Sequence, residues 1–191
     1  MASHFFAYMA RMKYILRWGL MRNTRPENIA EHSLQVAMVA HALALIRNRR
    51  YGGTVDPERV LALSVYHEAS EVITGDLATP IKYFNPEIKD AYKRIEGVAC
   101  RRILRMLPDD LQPDYAPLIV QKESEEYRIV KAADRICALL KCIEEEKAGN
   151  TEFIRARQSI ERTISALKLP EVADFMAEFV PSFDLTLDEL N

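Results

Sequence analysis

The chain has 191 residues, 49% of them hydrophobic, with 26 Lys and Arg against 28 Asp and Glu and a net charge of −2. That apolar content can bury a full core, so residues 1–191 read as a single domain. The near-neutral balance excludes a dedicated binder of polymeric nucleic acid or of a membrane surface.

The charge is unevenly placed. Residues 1–26 hold Arg11, Lys13, Arg17, Arg22 and Arg25 and no acid, whereas residues 171–191 hold six acids and no base, so the basic end can receive an anionic ligand. His4, Phe5 and Phe6 precede the basic residues and no small-residue cleavage site follows, which argues against a targeting segment. The longest charge-poor stretch, residues 36–46, falls short of the roughly 18 residues a membrane span needs. Cys100, Cys137 and Cys142 form no CxxC pair and fit a reducing cytoplasm better than a disulfide framework.

Helical periodicity runs from end to end, with no convincing alternating strand, so the fold class is all-α. Ser3 can cap a first helix whose face is Phe5, Met9, Met12 and Leu16 and which ends near Arg17-Trp18-Gly19. Asn28, with Glu31 three positions later, reads as a capping box for a central helix reaching about residue 49. Asp56-Pro57-Glu58 starts a third helix that runs into Tyr66-His67-Glu68-Ala69-Ser70-Glu71. Residues 74–85 read as an ordered loop beside that stretch. A long amphipathic helix follows from Asn85-Pro86-Glu87 to about residue 107, and then a Pro-punctuated connection over residues 108–118. Ser124-Glu125-Glu126 caps a helix that carries Asp134 and stops near Gly149, and two further helices span about residues 151–169 and 171–180.

Residues 67–76 pack His67, Glu68, Glu71 and Asp76 into the end of an apolar helix, an arrangement that costs free energy unless a cation or proton chemistry offsets it. His32 and His67 each sit at a helix end beside a carboxylate. His41 is nine positions from His32, hence on the opposite face at about 100° per residue, and reads with His4 as structural. Asp134 lies between Ala132-Ala133 and Ile136-Cys137 on an otherwise buried face, where an acid is either paired, with Lys131 or Arg135, or bound to metal. Glu71 follows His67 by four positions and shares its helical face.

The order His32, His67-Glu68, Asp134 on helices resembles the HD-domain phosphohydrolases. The segments Ser3-His4-Phe5-Phe6, Arg17-Trp18, Glu31-His32-Ser33-Leu34-Gln35, Thr74-Gly75-Asp76-Leu77, Thr79-Pro80-Ile81-Lys82-Tyr83-Phe84-Asn85 and Phe179-Val180-Pro181-Ser182-Phe183 together resemble the bacterial 5'-deoxynucleotidase (YfbR-type) branch. The resemblance implies an HD-type helical bundle that removes phosphate from deoxyribonucleoside 5'-monophosphates. It implies His32, His67, Glu68 and Asp134 as ligands of Mn, Co or a related transition metal, with His32, Glu68 and Asp134 also facing the substrate. Arg17 would orient the phosphate, Trp18 would pack on the sugar, Asp76, Leu77, Ala78 and Thr79 would line the substrate, and Glu71 would transfer a proton. Lys82 reads as solvated. A homodimer in the cytoplasm is implied as well.

Position 68 departs from the pattern, which has Asp where this chain has Glu. The extra methylene leaves open a nucleotide-binding protein with impaired catalysis, and the same fold leaves open a phosphatase for another phosphomonoester.

Overall fold

The computed structural model describes residues 2–82 and 84–190; among the quoted motif residues Tyr83 lies outside them. The α-helices are α1 (Phe5–Met9), α2 (Ile29–Tyr51), α3 (Pro57–Val65), α4 (Glu71–Thr74), α5 (Thr79–Lys82), α6 (Pro86–Leu104), α7 (Gln112–Ile119), α8 (Glu125–Lys147), α9 (Ile154–Ser165) and α10 (Pro170–Glu178). Among the described residues the only β pairing is one isolated bridge between Leu16 and Asn28. The all-α expectation is met.

Local chemistry explains the long elements. Asn28 Oδ1 accepts from the Ala30 and Glu31 N–H groups and so starts α2. Gly52, in the left-handed region at φ 66°, closes it. Asp56 with Pro57, Asn85 with Pro86, and Ser124 begin α3, α6 and α8 in the same way. Helix α2 has 23 residues and is apolar enough to cross a membrane by length and composition, contrary to the shorter stretch read from the sequence. Here it is the core helix: Val36, Ala40, Leu43 and Ala44 are fully enclosed or nearly so among α3, α8 and α10. A second apolar cluster, with Phe5, Ile29, Val72 and Ile103, joins the N-terminal segment to α6 and α7.

Several boundaries differ from expectation, among them the short α5 within residues 74–85, read as loop, and the end of α9 at Ser165 rather than near residue 169. The first helix is α only to Met9 and continues as a 3-10 turn to Tyr14, so Leu16 leaves the apolar face, 55% exposed, and pairs with Asn28 instead. Residues 112–119 are helical: Pro113 sits in the first turn, where no intrahelical N–H is needed, and Pro117 lies inside the helix. The third helix stops at Val65; residues 66–70 turn, and α4 starts at Glu71.

The acidic C-terminal segment meets cations of α2. Arg47 pairs with Glu171 at 3.2 Å and Arg50 with Asp174 at 2.8 Å. Part of the charge asymmetry along the chain is thus neutralised in space.

Candidate active site

Three helices bring four ligand-type side chains together. His32 comes from the first turn of α2, His67 and Glu68 from the turn after α3, and Asp134 from α8. One ligand atom of each lies within 4.8 Å of those of the other three. His32 Nε2 is 3.1 Å from Asp134 Oδ1 and His67 Nε2 is 3.2 Å from Glu68 Oε1. The longer Glu68 side chain therefore reaches the cluster.

Both imidazoles are fixed by their surroundings. His67 Nδ1 lies 2.7 Å from the Ser64 carbonyl, an acceptor only, so that nitrogen carries a proton and Nε2 is the ring atom turned to the cluster. His67 Nε2 is buried and makes no hydrogen bond. Burial, then the Arg17 charge, lowers the His32 pKa to about 4, so it is neutral at pH 7. An orphaned buried imidazole nitrogen facing two carboxylates fits a divalent cation, and the mixed nitrogen and oxygen set suits a transition metal. Asp134 lies well below the usual carboxylate range; burial opposes this, but His32, Lys131 and His67 outweigh it. Lys131 Nζ stands 3.7 Å from Asp134 Oδ2, so the ion pair read from sequence exists beside the cluster rather than in place of it.

Glu71 reaches the cluster by another route than the expected continuous helix. The turn at residues 66–70 folds α4 back, and Glu71 shares a hydrogen bond with Glu68. Burial first, and the Glu68 charge second, push Glu71 far above the ordinary range, so in this pair Glu71 holds the proton and donates to Glu68. Its Oε2 is buried without a partner.

Beside the cluster lies a cavity of about 390 Å³ lined by Arg17, Trp18, Leu20, Met21, Asp76, Ala78, Thr79 and Pro80, by Asp134, Arg135 and Ala138 of α8, and by Ala156, Ser159 and Ile160 of α9. Asp134 belongs to both. Of the loop residues singled out in the sequence, Asp76, Ala78 and Thr79 line the cavity and Leu77 does not. Gly75 makes this course possible: at φ 72° and ψ 166° it occupies a region open essentially to glycine alone. Lys82 pairs with Glu96 at 3.0 Å.

Arg17 and Trp18 are presented by a loop closed at its neck. The Leu16 to Asn28 bridge is flanked by Arg17 N–H to Glu27 C=O at 2.9 Å and Ile29 N–H to Ile15 C=O at 3.0 Å. Trp18 holds a left-handed backbone, φ 60°, which costs a residue with a Cβ about 1–2 kcal/mol. Its surroundings overdetermine that conformation. The indole Nε1–H donates to Glu27 Oε2 at 3.1 Å, the carbonyl accepts from Met21 N–H at 2.8 Å, and the ring lies 5.3 Å from that of Phe153. Burial works against the Arg17 charge, but Asp134, Glu27, Glu68 and Asp76 together raise its pKa above the ordinary value.

The loop tip is fastened to α8. Glu145 accepts from Thr24 N–H, Thr24 Oγ1, Arg25 N–H and Asn150 Nδ2, and it is in direct contact with the Lys141 ammonium, which donates to the Arg25 carbonyl at 2.6 Å. Both side chains of this ion pair are buried, 5% and 1% exposed. Helix α8 therefore carries Asp134 into the cluster and, on later turns, fixes the loop that bears Arg17 and Trp18. Glu27, Lys141, Glu145 and the α9 wall had no recognisable signal in the sequence: an acid before a helix reads as a dipole partner, and Lys141 with Glu145 reads as an exposed i,i+4 pair.

Residues 4–183 match the family described as 5'-deoxynucleotidase YfbR-like. A 5'-deoxynucleotidase of Vibrio parahaemolyticus is 55% identical, covering 99% of this chain and 98% of the relative, and that of Vibrio cholerae gives the same figures. Among solved structures, an HD-domain phosphohydrolase from Listeria innocua superimposes with a TM-score of 0.81 at 23% identity, covering 94% of this chain and 88% of the other. The cyanophage S-2L HD phosphohydrolase, solved with dA and one catalytic Zn²⁺ ion, gives 0.65 at 20% identity, covering 94% and 96%. The helical fold, the His32, His67, Glu68 and Asp134 cluster and a full-length match at this identity lead to one assignment: the chain belongs to the YfbR-like 5'-deoxynucleotidase family, on a fold shared with HD-domain phosphohydrolases.

Proposed function

We propose that this chain, acting as one domain, hydrolyses deoxyribonucleoside 5'-monophosphates to deoxynucleosides and phosphate. The observation that carries this reading is the junction at Asp134, where a four-ligand cluster meets a cavity walled by an arginine and a tryptophan. The family supports the reaction class, and the dA in the cyanophage neighbour shows that this fold can hold a deoxynucleoside.

His32, His67, Glu68 and Asp134 would hold a divalent cation such as Mn²⁺ or Co²⁺. When bound, it supplies Lewis acidity, polarising phosphate and making water nucleophilic near neutral pH. Arg17 Nε lies in ion-pair contact with Glu27 at 3.1 Å, which leaves the two terminal NH₂ groups for the phosphate oxygens in a planar fork. Trp18, fixed in one orientation, lies against the sugar, where its bulk disfavours a ribose 2'-hydroxyl. The apolar wall of Leu20, Met21, Ala138, Ala156 and Ile160 offers little to distinguish one base from another. As the phosphorus to 5'-oxygen bond breaks, the departing oxygen needs a proton, and Glu71 holds one in a site screened from water. We also place the protein in the cytoplasm as a homodimer; a monomeric mass by light scattering would refute the second point.

The test is phosphate release from dAMP, dGMP, TMP and AMP with added Mn²⁺ or Co²⁺, beside the Glu68→Asp variant. Release by the native chain with dAMP favoured over AMP is expected. No release by the native chain with strong release by Glu68→Asp would replace hydrolysis by nucleotide binding. Equal rates on dAMP and AMP would remove the sugar role of Trp18.

A further inference from the structure

Glu27 lies outside the ligand cluster and does not line the cavity, yet it touches both. Its Oε2 is 3.1 Å from Arg17 Nε and accepts the Trp18 indole N–H at 3.1 Å. Its Oε1 is the carboxylate oxygen facing His32 Nδ1, at 3.9 Å. That nitrogen is buried and makes no hydrogen bond. The Glu27 side chain is itself only 13% exposed and sits at the neck of the loop, opposite Arg17.

We propose that Glu27 is a positioning residue for the reaction: one buried carboxylate orients the Arg17 guanidinium, the Trp18 indole and the outer nitrogen of His32, and so keeps phosphate grip, sugar wall and metal centre in register. The proposal rests on the deoxynucleotidase reading for what these three groups do. Its physical basis is independent of that reading. A histidine that gives one nitrogen to a metal is oriented through the other, most often by a carboxylate, and such an outer partner is worth about 10–100-fold in metal affinity or activity. Arg17 Nε is buried and makes no hydrogen bond, so the Glu27 carboxylate at 3.1 Å holds the guanidinium by charge, while the outer NH₂ groups stay available to an anion. Trp18 needs an acceptor for its indole N–H to hold its strained backbone against the solvent-facing alternatives.

The experiment uses the full chain with Glu27→Gln and Glu27→Ala. Trp18 is the single tryptophan, so its emission and its quenching by acrylamide report on this one side chain. Calorimetric titration with Mn²⁺ alone reports on the ligand cluster, and kinetics on dAMP and AMP report on the substrate side. Gln retains an oxygen acceptor for the indole but loses the charge. It is expected to keep native Trp18 emission while Mn²⁺ affinity falls about 10–100-fold and KM for dAMP rises. Glu27→Ala is expected to show the same Mn²⁺ loss together with red-shifted, more readily quenched emission and a reduced preference for dAMP over AMP. Native emission and Mn²⁺ affinity in both variants would overturn the proposal. Red-shifted emission to the same extent in both variants, with Mn²⁺ affinity falling only in step with a lowered melting temperature, would also overturn it by assigning Glu27 to loop folding alone. Should the native chain release no phosphate from dAMP, the deoxynucleotidase reading falls, while emission and Mn²⁺ affinity, which need no turnover, still decide the role of Glu27.

Discussion

The buried pair Lys141 and Glu145 gives an unequal double-mutant cycle. Glu145→Gln removes the charge opposite the enclosed Lys141 ammonium and sets an amide NH₂ either against Lys141 and the Arg25 N–H or against the Thr24 and Asn150 donors. Breaking a buried pair from one side costs about 3–5 kcal/mol. For 191 residues the unfolding entropy is about 0.4 kcal/mol per K, so the melting temperature should fall by about 7–12 °C. Lys141→Met costs less, because Glu145 then keeps all four of its other donors. The double variant should be more stable than the sum of the two, since no buried ammonium remains unpaired. Thermal denaturation by calorimetry measures all three, and KM for dAMP should rise most in Glu145→Gln as the loop bearing Arg17 and Trp18 loosens. A loss below about 1 kcal/mol in Glu145→Gln, or singles that are equal and add within about 0.5 kcal/mol, would refute the reasoning.

Burial alone would raise the Glu145 pKa, but hydrogen bonds from Lys141, Asn150 and Thr24 hold it below the usual carboxylate range. Its stabilising contribution is therefore complete above the unfolded value of about 4.3 and is lost as pH falls below it; melting curves from pH 6 to 3 should show this loss in the native chain and a shallower one in Glu145→Gln. Gly75→Ala puts a Cβ at φ 72° and ψ 166°, where strain alone, with no atom within 4 Å of the new methyl, should cost about 1–3 kcal/mol by denaturant unfolding and displace Asp76. Mn²⁺ at about one hundred times its dissociation constant should add about 2.7 kcal/mol, roughly 7 °C in melting temperature, reversed by chelator and absent in His67→Ala.

Residue types and order were enough to anticipate the helical class, the caps at Asn28, Asp56, Asn85 and Ser124, and the meeting of His32, His67, Glu68 and Asp134, since each is either a local signal or part of a recurring pattern. What sequence could not supply was geometry set by distant partners. Glu71 was placed on the His67 face of a continuous helix, but the chain turns between them, and Glu71 arrives through its bond to Glu68. Leu16 follows the helical period of Phe5, Met9 and Met12, yet the bridge to Asn28 takes it out of the helix. Glu27 and the Lys141 and Glu145 pair look like ordinary surface charges until α8 and the 17–27 loop are packed together.

That loop has a further consequence, for how such a protein can change over time. Its neck is tied by backbone groups, which any side chain at positions 16 and 28 can provide, and Arg17 and Glu27 face each other directly above the tie. Leu20 and Met21 lie between the Trp18 anchor and the fastening of Thr24 and Arg25 to Glu145, so their side chains can change, and the far wall with them, while the arginine stays anchored beside the metal-type cluster. Substrate range can diverge through those two side chains without any renegotiation of the chemistry at the base of the loop.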